Sequence, residues 1–200
     1  METYTYPHFP QHISIVHVAL FTSVSNAKEI RARIVKASTV EGPDGDDERE
    51  NVNFAFIDAK LITSELHLQT AIYQAILAKA QGALRTRTVH SEILWALNPS
   101  NNITEAIRRY GVSDTSTAVI AVRITSPDFQ DVSGKMCAVV KGTMNPLSSL
   151  EALTDWSAVK KYHKLNAEVA VKEAGKDTAR ERRIVDNIVV STVAMKSVMA

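Results

Sequence analysis

The densest set of binding chemistry in the chain lies at residues 98–111, NPSNNITEAIRRYG. Asn98-Pro99-Ser100 breaks the preceding element, and Asn102 with Glu105 three positions on is a capping-box pattern that opens a helix. A helix start offers free N–H groups at the positive end of the dipole, which suits an anion such as a phosphate. Asn101 and Asn102 can bond base edges or phosphate oxygens, Arg108 and Arg109 can pair with phosphates, and Tyr110 can stack on a base. Arg85, Arg87 and His90 add positive charge just upstream. A plainer reading also stands. Asn102 is a good cap, Gly111 sits at the C′ position, and arginines in a last turn complement the dipole whatever the function.

Signals for catalysis are weaker. The chain has no G-x-G-x-x-G, no P-loop and no G-x-S-x-G elbow. Ser157-Ala-Val-Lys160 matches the S-x-x-K string of a serine–lysine pair, but no S-D-N or K-T-G follows it. Of six histidines, His8 and His12 alone have the four-residue spacing of a helical metal pair, and Pro7 and Pro10 oppose a helix there. His17, inside an apolar run, reads as a satisfied core histidine, and Cys137 as a small buried hydrophobe. No cofactor, no metal and no enzymatic activity are expected.

Bulk properties narrow the class. Two hundred residues, 45% hydrophobic and 22% charged, are enough for one packed core without a staple. With 23 basic and 22 acidic residues the net charge is +1, which excludes a polyanion-coating protein but not a local basic patch. A single cysteine excludes an internal disulfide and an all-Cys zinc site. The start, METYTYPHFPQH, lacks the basic and apolar regions of a secretory signal. No apolar stretch approaches the ~20 residues of a membrane helix. The expectation is a nuclear and cytoplasmic protein, for which the Asn102-Ile103-Thr104 sequon is a chance match.

The elements that must position these residues follow from pattern. Residues 13–21, ISIVHVALF, read as an inner strand. Residues 26–38 read as a helix capped by Asn26, with Ile30 and Ile34 on one face. Residues 41–50, EGPDGDDERE, contain six acids and no apolar residue, and read as a flexible acidic loop without the ligand spacing of an EF-hand. A short strand at 53–57 precedes a long helix from Leu61 to Gln81, capped by Ser64 and stopped by Gly82. Residues 88–97, TVHSEILWAL, are expected as a strand, 102–110 as a helix, 117–124 as a buried strand and 130–142 as a helix. One or two short helices surround Trp156 and Tyr162, and a long helix spans about 178–199. Its apolar side carries Ile184, Val185, Ile188, Val189, Val193 and Met195, and Val190 and Val198 widen it. Such a surface is either core or half core and half partner groove. The whole chain, 1–200, reads as one α/β domain: a mixed sheet of about four strands packed with helices.

Several strings together resemble a known family. VHSEILWALNPSNNITEAIRRYGVSDTS, residues 89–116, resembles the most characteristic segment of the kinase-binding subunits of the KEOPS (EKC) complex, the PRPK-binding or TPRKB-like family. AVKKYHKLNAEVAV, residues 158–171, resembles that family's I-x-K-x-Y-K stretch and is followed, as there, by a long C-terminal helix. The early strand, the FAFIDA step and the helix after it also fall in family order, and the chain is identified as a fungal member of that family. Residues 41–50 look like an insertion, and Tyr110 stands where the family often has Phe.

The resemblance implies a non-catalytic subunit that binds a small atypical kinase/ATPase on its N-terminal lobe. Its assembly makes threonylcarbamoyladenosine in tRNAs that read codons beginning with A. It also implies tRNA recruitment through the single-stranded 3′ CCA end, and in fungi links to telomeres, chromosomes and transcription. Asn101, Asn102, Ile103, Arg108, Arg109 and Tyr110 match the family's helix-start motif, with Arg85 and Arg87 beside it. Ile184, Ile188, Val189, Val193 and Met195 fall on the kinase-facing helix, their division between partner and own core left open. A pure scaffold without RNA contact, and a small hydrolase using Ser157, are the competing readings.

Overall fold

The computed structural model describes residues 1–199. Five strands form one sheet: β1 (Glu2–Thr5), β2 (Ile15–Thr22), β3 (Ala55–Asp58), β4 (Val119–Thr125) and β5 (Thr143–Asn145). The helices are α1 (Ala27–Thr39), α2 (Pro43–Asn51), α3 (Glu65–Ala80), α4 (Val89–Leu97), α5 (Ile103–Tyr110), α6 (Val132–Val139), α7 (Trp156–Tyr162), α8 (Val169–Glu173), α9 (Thr178–Ala194) and α10 (Lys196–Met199). The strand order is β1-β2-β4-β3, with β5 sharing the β1 edge of β2, and every pairing is antiparallel.

Side-chain alternation along the central strands builds two hydrophobic layers. Val16, Val18 and Leu20 of β2 join Ile120, Val122 and Ile124 of β4 and Ala55 and Ile57 of β3 on one face. Residues of α3, α4, α7, α8 and α9 cover that face. Ala19, Phe21, Phe56, Val119 and Ala121 point the other way, beneath α1 and α6. A sheet covered on both faces explains why β2 and β4 read as almost unbroken apolar runs. The α/β class and the long C-terminal helix are as expected. A one-residue break at Met195 separates that helix into α9 and α10.

Several local expectations are overturned. Residues 88–97 are a helix, not a strand: Thr88 accepts from Ser91 N at 3.1 Å while Ser91 Oγ accepts from Thr88 N. All but two residues of α4 are buried, so it shows no amphipathic period and imitates an inner strand. Residues 41–50 are not a flexible loop, because Pro43–Asn51 form α2. Pro43 opens the helix, Asp44 and Asp46 complement its dipole, and two arginines from elsewhere and one of its own anchor it. Arg33 Nε meets Glu48 at 2.7 Å, Arg123 Nη2 meets Glu50 at 2.6 Å, and Arg49 bonds the Ala37 and Val40 carbonyls. Gly45 is needed there, because a Cβ would lie 2.1 Å from the Val40 carbonyl oxygen.

Asn26 does not cap α1 through its side chain. Its carboxamide instead donates to Val139 O at 2.9 Å and accepts from Lys141 N, tying α1 to the end of α6. Gly111 ends α5 with φ −71°, not in a left-handed turn. It bridges to Ile57 of β3 and packs against the Ile107 carbonyl. Ser64 does cap α3, and Gly82 stops it with φ +66°. Cys137 is exposed on α6, not the small buried hydrophobe expected, and His17 is half-buried with Nδ1 3.0 Å from Thr3 Oγ1.

Candidate functional site

The start of α5 is built as the capping pattern requires. Asn102 Oδ1 accepts from Glu105 N at 3.1 Å. The turn before it is organised by Asn98, which is almost wholly buried. Asn98 Nδ2 donates to Ser100 O, Ser100 Oγ and Asn102 O within 3.1 Å, so one side chain curls four residues of backbone. Its Oδ1 accepts from the Tyr162 hydroxyl of α7. Lys196 of α10 donates to the carbonyls of both Asn98 and Ser100, the latter at 2.6 Å. Asn101 and Asn102 are left exposed, and Ile103 is half-buried.

The far end of α5 is partly consumed by the fold. Arg108 Nη2 binds Glu105 at 2.5 Å, and Arg109 Nε lies 3.7 Å from the same carboxylate. Arg109 also lies over the Tyr162 ring, 4.9 Å from its centroid. Both arginines keep exposed side chains, so each can exchange Glu105 for a phosphate. Tyr110 cannot stack on a base. It is fully buried, its hydroxyl is 2.9 Å from His163 Nε2, and burial pushes its ionisation far upward. Hydrophobic spacing places it on the core face of α5, which an aromatic residue in a binding motif does not reveal by itself.

Arg85 and Arg87 are exposed on the segment before α4. Glu92, buried in α4, shapes that segment by accepting from Arg85 N, Thr86 N and the Thr86 hydroxyl. Arg85, Gln74, Gln81, Trp95 and Lys196 line a cleft of about 260 Å³. Lys196 thus joins this cleft to the Asn98–Asn102 turn. The later Ser113–Ser116 turn has a fold role: Ser116 Oγ donates to the buried Asp58 at 2.6 Å.

The C-terminal helix divides as follows. Val185, Val189 and Val193 are buried in the chain's own core. Ile184 and Ile188 are half-buried against it, whereas Met195 is 49% and Val198 76% exposed. Val189 and Val193 therefore cannot present side chains to a partner. No helix among the described residues is long and apolar enough to cross a membrane.

The Ser157–Lys160 pair does not assemble. Lys160 pairs with Glu181 of α9, and Ser157 is exposed with no hydrogen bond to Lys160 among the described residues. His67, His90 and His163 are held neutral by burial, which pushes the first two down to about 3 and His163 to about 4. Each has a structural partner. Thr63 N donates to His67 Nδ1, Ile124 N donates to His90 Nε2, and Tyr110 meets His163. Sequence reasoning missed Asn98, Tyr162, His163 and Lys196 as parts of the site. Their only shared signal is position in the fold.

The sheet and its flanking helices thus present one exposed helix start, at Asn101 and Asn102, with Met195 and Val198 exposed at the end of the C-terminal helices. The chain matches the family model described as kinase binding protein CGI-121 over residues 21–197, and it belongs to that family. Similar proteins include several from fungi. One from Cryptococcus neoformans, called EKC/KEOPS complex subunit CGI121, is 36% identical over the full length of both chains. Proteins of the same name from Aspergillus fumigatus and Neurospora crassa are 31% and 30% identical. They cover 82% and 98% of this chain, and 84% and 98% of their own.

Proposed function

We propose that this chain is the kinase-binding subunit of an EKC/KEOPS complex and helps recruit tRNA through its 3′ CCA end for threonylcarbamoyladenosine formation. The observation that carries the reading is the match over residues 21–197 to a family named for kinase binding. Full-length relatives named as EKC/KEOPS subunits support it. The chain performs no reaction of its own. It docks the small atypical kinase through the exposed end of its C-terminal helices, at Met195 and Val198, with Ile184 and Ile188 at the margin. A short RNA tail lies across Asn101, Asn102 and the α5 start, with Arg108, Arg109, Arg85 and Arg87 supplying charge. A near-neutral chain suffices because it grips only the tail. Its places of action are nucleus and cytoplasm, and in fungi the chromosome and telomere.

The alternative, a scaffold without RNA contact, is favoured by two observations: Glu105 already engages both arginines, and Tyr110 is buried. Binding of intact tRNA and of tRNA lacking its terminal CCA, at one fixed salt concentration, separates the two. Preference for intact tRNA, by the chain alone or by its complex with the kinase, supports recruitment. Equal affinity for both RNAs in both states leaves the scaffold.

A further inference from the structure

The carbonyls of Asn98 and Ser100 converge on one ammonium group, although Lys196 lies 98 and 96 residues away in the chain. Lys196 is 5% exposed and its Nζ lies 4.4 Å from the centroid of the Trp95 ring. Two backbone acceptors and a ring face account for the cation's favourable contacts. Without it, the Asn98 carbonyl would lose the partner that compensates its burial. Asn98 Nδ2 holds the same turn from inside, but it reaches Ser100 O and Asn102 O, not its own carbonyl. The end of the C-terminal helix is itself held, by Gln74 Nε2 donating to Ala194 O at 2.9 Å. The clamp is therefore anchored on α3, α4 and α10 together.

We propose that Lys196 is a positioning residue for RNA-tail recognition, fixing the turn that presents Asn101 and Asn102 at the start of α5. This rests on the RNA role proposed above. The residue touches no RNA in this arrangement and acts through backbone shape. The charged and titratable groups facing it are Glu92 of α4, Arg85 across the cleft, and Tyr162, whose hydroxyl meets Asn98. Burial pushes the Lys196 ammonium down to about 8, against the opposing pull of Glu92. Above that pH the charge-assisted bonds to the two carbonyls become weaker neutral ones, and the turn loosens.

Lys196→Met keeps the apolar stem and removes the donor. In the full chain it is expected to weaken intact-tRNA binding about tenfold at about pH 7. Binding of tRNA lacking CCA stays unchanged. Wild-type affinity for intact tRNA falls between about pH 7 and about pH 9, while that of Lys196→Met stays flat over the same range. A folded Lys196→Met protein with wild-type preference for the CCA end overturns the proposal. The backbone amide NMR signals of Asn101 and Asn102 provide a test that needs no variant and no RNA. They are expected to shift as the Lys196 ammonium loses its proton, with a midpoint near 8. Wild-type protein that does not distinguish the two tRNAs, yet shows the inflection, refutes the RNA role and retains the clamp.

Discussion

Arg108 and Arg109 share one carboxylate, Glu105, at the exposed surface of α5. Exposed pairs of this kind contribute little to stability, so reversing both arginines disturbs the fold little. The double change Arg108→Glu with Arg109→Glu is expected to cut tRNA affinity at least about tenfold and leave kinase binding intact. Electrophoretic or fluorescence titration with tRNA checks it, and undiminished affinity removes the arginines from the site. At this scale the sequence was a fair guide to residue type and a poor one to availability. Asn102 caps and stays exposed as its spacing required. Tyr110, chosen as a stacking ring, is core, because its side of a short helix faces the sheet and His163. No feature of NPSNNITEAIRRYG announces that Lys196 and Tyr162 shape its first turn.

On the C-terminal helix, Val185, Val189 and Val193 repeat every four residues and face inward. Val193→Glu places an unpaired carboxylate in that core and is expected to unfold the chain, lowering stability by several kcal/mol. Val198→Glu, at a site 76% exposed, is expected to leave the melting temperature unchanged and weaken binding to the kinase. Thermal melts beside kinase-binding titrations separate the two effects. Unchanged kinase affinity in the Val198 variant would exclude this end of the helix from the interface. Elements with one apolar face, such as α3 and α9, were legible. Elements at the extremes were not. α4 is buried all round and lost its period, while α2 carries almost no apolar surface and is a helix because Arg33 and Arg123 pair with its acids.

Across the whole molecule, three neutral histidines, His67 and His90 buried and His163 half-buried, link stability to pH. His67, His90 and His163 stay unprotonated in the fold down to about 3, 3 and 4, because burial disfavours their charged forms. The charges of His163 and Arg123 add to the effect on His67 and His90 respectively. The unfolded chain takes up those protons near 6.5. Stability is therefore complete above about pH 6.5 and is lost as pH falls toward the folded-state values, by up to about 1.4 kcal/mol per unit for each histidine. Urea unfolding at about pH 5 and about pH 7.5 tests this. A midpoint that does not drop at the lower pH would show that these histidines titrate normally in the fold. The sequence by itself determined the α/β class, the two inner strands, the caps of α3 and α5 and the family, because these reside in local pattern and motif. The tertiary structure alone decided which motif residues remain open to a ligand, which face of α9 is free, and which distant groups shape the α5 start. Burial and convergence depend on contacts between residues as far apart as Asn98 and Lys196, and no local window of sequence encodes such a distance.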